Sequence, residues 1–349
     1  MSSSSTQPVS LSTQQNDISD VSMKDVQEII TKLQHAREAL GRVIFGQDDV
    51  IALSLTTILA GGHGLLVGLP GLAKTKLVES LGIVLGLQTR RVQFTPDLMP
   101  GDILGSEVLE EDIDKKRFFR FLKGPVFTQL LMADEINRAS PRTQSALLQA
   151  MQEGHVSIGG ERYDLPAPFH VLATQNPIEQ EGTYPLPEAQ LDRFLMQIDV
   201  GYPDRTSEKR MLIETTSAST NVVEPVMRSE DVSLAQQIVR KMPIGEHVLE
   251  AILDCVQAAR PPIERTSQTN ASKGMGSLLA WGAGPRAGQA LVLATRAYAL
   301  LDGRFAPSID DVKKLALPVL KHRIALTYSA RAEGATVEEV IAQLTAQIR

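Results

Sequence analysis

The chain has 349 residues, of which 43% are hydrophobic and 22% charged, proportions that are ordinary for a globular protein of two or three domains. The net charge of −6 and the aromatic content of 4% argue against nucleic acid as the main partner. The single cysteine, Cys255, excludes an intrachain disulfide. No apolar run has the length of a membrane span, and residues 1–22 are rich in Ser, Thr and Gln. We therefore expect a flexible tail over 1–22 and a cytoplasmic protein.

An apolar run at 64–68 ends in a glycine-bearing turn, followed by a lysine, a threonine and a helical pattern. The turn reads Gly68-Leu69-Pro70-Gly71-Leu72-Ala73-Lys74-Thr75 and fits the phosphate-loop pattern G-x-x-x-x-G-K-[ST] except at Ala73. The glycines would let backbone N–H groups face inward, and the helix N-terminus would add its positive end, which together suit phosphate. Lys74 would reach the β- and γ-phosphates of a nucleotide, and Thr75 would hold Mg²⁺. The alternative is a plain glycine-containing turn between a strand and a helix.

Two flanking features bear on this loop. Ala73 should be tolerated if it is already helical, since only a positive φ demands glycine. Upstream, helices are predicted at 23–40 and 50–60, and a small apolar turn lies between them. In that turn, Val43 and Ile44 either form a wall of an adenine pocket or belong to a plain helix–helix connection, and the pattern does not separate the two.

Two further strands end in polar side chains. The apolar run at 129–133 ends in Asp134-Glu135, where Asp134 could hold the hydration shell of Mg²⁺ and Glu135 could polarise a water for attack on the γ-phosphate. The run at 169–174 is followed by Asn176, whose amide could orient that water and contact the γ-phosphate. The alternatives are a solvated turn after the first strand and a turn-forming Asn before Pro177 after the second.

The remaining pattern divides the chain near 203. Strands and helices alternate over 23–203, with a charged hairpin or insertion at about 104–125 and a hairpin at about 155–165. Residues 204–349 show helical patterns alone, including a helix that opens at Pro285 and another capped by Ser308 and Asp311. We expect an α/β nucleotide-binding core followed by an all-helical domain, with the stretch 261–284 forming a loop.

These motifs, in this order, resemble the AAA+ ATPase superfamily, and two fuller strings resemble its MoxR branch. The strings are Met132-Ala133-Asp134-Glu135-Ile136-Asn137-Arg138-Ala139 and Leu186-Pro187-Glu188-Ala189-Gln190-Leu191-Asp192-Arg193-Phe194. The resemblance covers residues 25–349, and Ala73 is common within this branch. It implies a P-loop NTPase fold, with an αβα core around a parallel five-stranded sheet and a helical lid. It also implies rings, usually hexamers, with ATP and Mg²⁺ bound between subunits.

The resemblance further assigns roles to three residues. Asn176 matches the first sensor, Arg286 the second sensor on the lid, and Arg193 an arginine finger that acts on the nucleotide of the neighbouring subunit. Arg138 and Arg142 are rival candidates for the finger, and a salt bridge with Asp192 or Glu188 is the structural alternative for Arg193.

Relatives of this branch are associated with maturation of metalloenzymes and complexes, often beside proteins with a von Willebrand factor A domain. We therefore expect an ATP-driven chaperone-like remodelling factor with a protein client. A metal-chelatase motor subunit and a DNA-remodelling motor are alternatives, and DNA returns to contention if Lys115, Lys116, Arg117 and Arg120 line the ring pore. A nucleotide-gated binding module that does not hydrolyse ATP is a further alternative. The presence of Glu135 argues against it, because such a module does not need a catalytic base.

Overall fold

The computed structural model of the chain describes residues 22–111, 115, 117–179, 182–216, 223–261 and 275–348. The predicted tail lies outside the described residues except for Ser22, which caps the first helix. The strands in chain order are β1 (Gly64–Gly68), β2 (Thr89–Gln93), β3 (Gly105–Glu111), β4 (Arg117–Lys123), β5 (Leu130–Asp134), β6 (His155–Ile158), β7 (Glu161–Asp164), β8 (His170–Gln175), β9 (Met196–Val200), β10 (Leu279–Trp281) and β11 (Ala325–Leu326).

The α-helices of the described residues precede the strands or lie between them in the first part of the chain and predominate in the second. In chain order they are α1 (Met23–Gly41), α2 (Asp48–Leu59), α3 (Lys74–Val84), α4 (Pro100–Leu104), α5 (Pro141–Glu153), α6 (Glu188–Leu191), α7 (Arg205–Thr216), α8 (Ser229–Lys241), α9 (Glu246–Ala258), α10 (Pro285–Leu301), α11 (Ile309–Leu320), α12 (Tyr328–Ala332) and α13 (Val337–Ala346). None of these helices combines the length and the apolar character needed to cross a membrane.

Five strands form one parallel sheet in the order β2-β5-β8-β1-β9, which confirms the predicted sheet. Because β5, β8 and β1 are direct neighbours, their carboxyl ends lie side by side at one edge. The phosphate loop follows β1, Glu135 follows β5 and Asn176 follows β8. Ligands of open parallel sheets bind at this edge.

Both faces of the sheet are covered by apolar side chains, as a buried parallel sheet requires. Along β5, Leu130 and Met132 belong to one apolar cluster, while Leu131 and Ala133 belong to the other, which is the two-residue alternation of a strand. The first cluster includes residues of α1, α2 and α3 and continues into α8, α9, α10, α11 and α13. The helices of the C-terminal part therefore share a core with the first two helices, and α10 packs directly against α2.

The C-terminal region is helical, as expected, but it also contains a pair of short strands. Leu279–Trp281 pairs antiparallel with Ala325–Leu326, so the expectation of a wholly helical region is corrected here. The sequence pattern missed the pair because Leu279 is the only buried residue of its strand and no alternation can be read from it. Of the loop expected at 261–284, residues 262–274 lie outside the described part.

Two antiparallel hairpins, β3–β4 and β6–β7, stand apart from the main sheet and lie in the segments where an insertion and a hairpin are predicted. They touch each other, because the rings of Phe121 and Tyr163 lie 4.2 Å apart between centroids. Residues 112–114 and 116, between β3 and β4 in the sequence, lie outside the described part.

Candidate nucleotide-binding site

A cavity of about 440 Å³ opens at the carboxyl edge of the sheet. Its lining contains most of the predicted site, namely Pro70, Gly71, Leu72, Ala73, Lys74, Thr75, Asp134, Glu135 and Asn176, together with Lys76, Arg91, Gln93 and Thr174. The fold therefore gathers residues from four neighbouring strands, β2, β5, β8 and β1, around one space.

The phosphate loop has a left-handed residue immediately before its helix. Helix α3 begins at Lys74, and Ala73 is its N-cap with φ 58°, so the condition under which an alanine would be accepted without strain, a helical conformation, is not met. A positive φ costs an alanine roughly 1–2 kcal/mol, because its Cβ crowds the following carbonyl. Gly71 also has a positive φ, of 83°. Gly68 is needed for another reason, since a Cβ there would lie 2.5 Å from the carbonyl oxygen of Val200 on β9.

Lys74 lies within the curl of its own loop. Its Nζ donates to the carbonyls of Gly68 and Leu69, the second at 2.9 Å. Burial lowers the pKa of Lys74, while the facing carboxylates of Asp134 and Glu135 oppose that shift. The ammonium is thus held against two loop carbonyls at the wall of the cavity, where a phosphate would compete for it.

Asp134 is fixed by two neighbours that the sequence analysis did not single out. Its Oδ1 accepts a hydrogen bond from the hydroxyl of Thr174 at 2.6 Å, and its Oδ2 accepts one from Nε of Arg91 at 3.1 Å. Thr174 in turn accepts the backbone N–H of Glu135 at 2.8 Å, which ties the two acids to β8. The carboxylate of Asp134 is therefore held rigidly at the cavity wall.

Glu135 is held by two donors. Its Oε2 accepts from Nε2 of Gln93 at 2.7 Å and from Nη1 of Arg138 at 2.8 Å. Gln93 stands opposite Asp134 in the β2–β5 register, so the strand pairing itself delivers the amide to the acid pair. Two polar residues alternating on the strand beside an acid-bearing strand are the signal that could have identified Arg91 and Gln93 from sequence.

Thr75 and Asp134 fit Mg²⁺ by the chemistry of their donors. Both offer hard oxygen atoms to the same cavity, and Mg²⁺ is typically held by one or two carboxylates, waters and substrate phosphates. Asn176 is 7% exposed, and its Oδ1 accepts the N–H of Ile178 at 3.2 Å. Asn176 therefore forms the turn before Pro177 that was the alternative to a functional role, and it also lines the cavity. Among the described residues its amide NH₂ has no acceptor, so it can donate to a ligand.

A second cavity of about 270 Å³ adjoins the first and shares residues 70–73 and Lys76 with it. Val43 and Ile44 line it, and both are buried. Tyr202, Pro203 and Met211 complete a mainly apolar wall, so this space suits a planar base next to the phosphate cradle.

Arg193 and Arg286 do not reach the first cavity in the same chain. Both line a third cavity of about 250 Å³, together with Asp192, Arg323 and His63. Nη1 of Arg193 donates to the carbonyl of Leu148 at 2.8 Å, and Nη1 of Arg286 lies 3.8 Å from Oδ2 of Asp192.

The rival arginines lie elsewhere. Arg138 pairs with Glu135 at 2.8 Å, in the same chain, and Arg142 is exposed near the start of α5. The carboxylate of Asp192, which was one alternative partner for Arg193, is engaged by Arg323 at 2.7 Å.

Comparison with known proteins places this geometry in a family. The ATPase family associated with various cellular activities (AAA) matches residues 63–196, and the AAA lid domain matches residues 276–344. The chain is 41% identical to the chaperone MoxR1 of Mycobacterium tuberculosis, covering 88% of this chain and 80% of that one. It is 33% identical to the protein MoxR of Paracoccus denitrificans, covering 87% and 92%. The chain belongs to the MoxR-type AAA+ ATPases.

Two further relatives extend the likeness over nearly the whole chain. YeaC of Bacillus subtilis is 39% identical, covering 91% of this chain and 94% of its own. The solved structure of an ATPase candidate from Cytophaga hutchinsonii is 37% identical and superposes with a TM-score of 0.83, covering 93% and 97%. Membership in this family implies nucleotide binding, generally with Mg²⁺, and assembly into oligomeric rings.

Proposed function

We propose that this chain is an ATP-hydrolysing, chaperone-like remodelling factor that assists the assembly or maturation of protein or metalloenzyme complexes in the cytoplasm. Its partner would be a protein with a von Willebrand factor A domain or another protein client. One observation carries the ATPase part: the phosphate loop, Asp134, Glu135 and Asn176 line a single cavity at three adjacent strand ends.

Each side chain has a distinct task in this proposal. The loop N–H groups and Lys74 bind the phosphates, and Thr75 and Asp134 hold Mg²⁺, which neutralises phosphate charge when bound. Glu135 accepts the proton of the attacking water, and its hydrogen bonds with Gln93 and Arg138 aim its carboxylate. Asn176 orients that water through its amide.

The site is completed by a neighbouring subunit in a ring, which we propose is a hexamer. Arg193 and Arg286 line a cavity separate from the one that holds Glu135, which supports action on the nucleotide of the next subunit. An arginine supplied in this way typically contributes about 10³–10⁵ in rate, because it neutralises charge that develops on the γ-phosphate.

The protein client is favoured over DNA by the charge of the β3–β4 hairpin. Arg120 pairs with Glu110 at 3.1 Å and Arg117 with Glu111 at 3.5 Å, so these two arginines face acids of the same hairpin. The name of the Mycobacterium tuberculosis relative, a chaperone, agrees with this choice.

The variant Glu135→Gln tests the hydrolysis step. It keeps the shape of the side chain, so it should bind ATP and form rings while turnover falls by about 10²–10⁴. Glu250→Gln, an exposed acid on α9, is the matched control and should leave turnover unchanged. Near-normal turnover of Glu135→Gln would assign the base to another group.

The same variant tests the client. With ATP, Glu135→Gln should stay in the ATP-bound state and retain a specific protein on affinity purification. Lys74→Ala, which should not bind ATP, should not retain that protein. Recovery of nucleic acid instead of a protein partner would contradict the chaperone-like role.

A further inference from the structure

A buried arginine of the C-terminal part is hydrogen-bonded to the segment that bears Arg193. Arg323 follows α11 and is 4% exposed. Its Nε donates to Oδ1 of Asp192 at 2.7 Å, and its Nη2 donates to the backbone carbonyls of Asp192 at 3.2 Å and Phe194 at 2.7 Å. Its Nη1 donates to the carbonyl of Leu195 at 3.0 Å. One guanidinium therefore holds the chain on both sides of Arg193.

Neighbouring contacts fix the same segment from two directions. Nε2 of His322 lies 3.1 Å from the carbonyl of Phe194, so this nitrogen carries the proton and donates. The backbone N–H of Leu195 donates to the carbonyl of His63, just before β1, at 2.7 Å. The segment 192–195 is thus clamped between the sheet and the turn after α11.

Asp192 connects this clamp to the second predicted arginine. Its Oδ1 accepts from Arg323, while its Oδ2 lies 3.8 Å from Nη1 of Arg286. All three arginines line the same cavity of about 250 Å³. Arg193 itself makes a single described hydrogen bond, to the carbonyl of Leu148, so its direction depends on where its backbone is held.

We propose that Arg323 is a positioning residue for the arginine finger: it fixes the backbone of 192–195 so that Arg193 meets the nucleotide of the neighbouring subunit. This inference rests on the proposed function, in which Arg193 acts in trans. The guanidinium offers five N–H donors in one fixed plane and serves five acceptors here, whereas a lysine ammonium has only three donors. A displacement of about 1 Å at a reacting group can cost roughly 10²-fold in rate.

Arg323→Gln and Arg323→Lys should therefore lower kcat by about 10²-fold and leave the nucleotide affinity of the altered subunit unchanged. The affinity is preserved because the phosphate loop and Lys74, which bind the nucleotide in this proposal, are intact in every variant subunit. A merely structural role would not give this separation of kcat from affinity.

Mixed rings give a sharper readout. An Arg323→Gln subunit has an intact phosphate loop and catalytic base but a misplaced Arg193. A Glu135→Gln subunit has a correctly placed Arg193 but lacks the catalytic base. Mixing the two should restore hydrolysis at the shared sites, to the level reached by mixtures of Arg193→Ala with Glu135→Gln. The reference mixture separates the two hypotheses. Rescue of Arg193→Ala without rescue of Arg323→Gln would overturn the positioning role alone, while failure of both mixtures would contradict the finger in trans as well.

Arg304→Gln is the matched control. Arg304 also pairs with a buried carboxylate, that of Asp311 at 2.6 Å, but it does not contact 192–195. It should lower the unfolding temperature and keep kcat per folded subunit. An equal fall of kcat in this control would overturn the inference. If Arg323→Gln does not fold, Asp192→Asn replaces it, since that variant weakens the Arg323 contact with little change in side-chain shape, and it must show the same rescue.

Discussion

At the scale of single residues, Ala73 occupies a backbone conformation that residues other than glycine avoid. Its φ of 58° just before α3 turns the chain so that the loop and the helix start face one space. The left-handed conformation costs an alanine roughly 1–2 kcal/mol. A glycine there would avoid this cost, but its greater freedom would stabilise the unfolded chain by about 0.4–1 kcal/mol. The two effects oppose each other, and the strain is the larger.

The variant Ala73→Gly should accordingly raise the free energy of unfolding by about 0.5–1 kcal/mol, the difference between these effects. Ala73→Val should lower it by more than that, because a β-branched residue tolerates a positive φ poorly. Urea denaturation of the two variants measures both changes. A loss of stability in Ala73→Gly would contradict the strained conformation.

The buried histidines predict how stability depends on pH. Burial lowers the pKa of His170 to about 4 and that of His322 well below its usual 6.5, where Arg323 adds repulsion. Burial also lowers the pKa of His63, but this side chain has some exposure to a cavity and should contribute less to the pH dependence of stability. Because the unfolded chain binds protons to these rings at higher pH than the folded chain, stability is full above about pH 6.5.

Stability should therefore fall as the pH drops from about 6.5 towards 4, by up to about 1.4 kcal/mol per pH unit for each histidine involved. His170→Asn removes one of these groups and should flatten the slope by up to that amount, although it also loses the contact of His170 with Gln236. Unfolding free energies measured between pH 7 and 4.5 give both slopes. Identical slopes would assign the pH dependence to other groups.

At the scale of elements, the two hairpins form one unit through their aromatic side chains. Phe121 of β4 and Tyr163 of β7 stack at 4.2 Å with an interplanar angle of 31°. Gly159, in the turn between β6 and β7, comes so near Glu107 that a Cβ would lie 2.3 Å from the carboxylate. Movement of either hairpin must therefore be transmitted to the other.

A double-mutant cycle on Phe121→Leu and Tyr163→Leu should give a coupling free energy of about 0.5–1.5 kcal/mol, the usual worth of an aromatic pair beyond its burial. Phe118→Leu is the control partner for Tyr163→Leu, because Phe118 lies on the other face of β4. That control pair should be additive within about 0.3–0.5 kcal/mol. Additivity in the Phe121 cycle would show that the hairpins are independent.

The parts of this architecture that depend on neighbouring residues could be predicted from the sequence. The parallel sheet and the acids at a strand end follow from apolar runs and their punctuation. The sequence did not predict the contact of Arg323 with Asp192, which are 131 positions apart, or the pairing of β10 with β11. Such contacts depend on how the C-terminal part packs against the core. The local spacing of apolar residues in the sequence carries no information about that packing.

At the scale of the whole molecule, the two halves of the proposed site are held by one continuous framework. The apolar cluster that contains Leu55 of α2 also contains Leu300 of α10 and Val319 of α11. Arg286 lies in the first turn of the same α10, and Arg323 follows α11, so both arginines are fixed to a core that also supports β1 and its phosphate loop. In a head-to-tail ring, each subunit would then offer its cavity to one neighbour and its arginines to the other.

This arrangement predicts that ATPase activity per subunit depends on protein concentration. On dilution the ring dissociates by mass action, and each released subunit keeps its own Lys74 and Glu135 but loses the Arg193 of its neighbour. Activity per subunit should then fall by about 10³ or more, the contribution of an arginine in trans, over the range in which the measured mass falls from ring to monomer. Arg193→Ala, assayed in parallel, should stay at the low level at every concentration. Constant activity per subunit in samples that are monomeric by mass would show that each chain completes its own site.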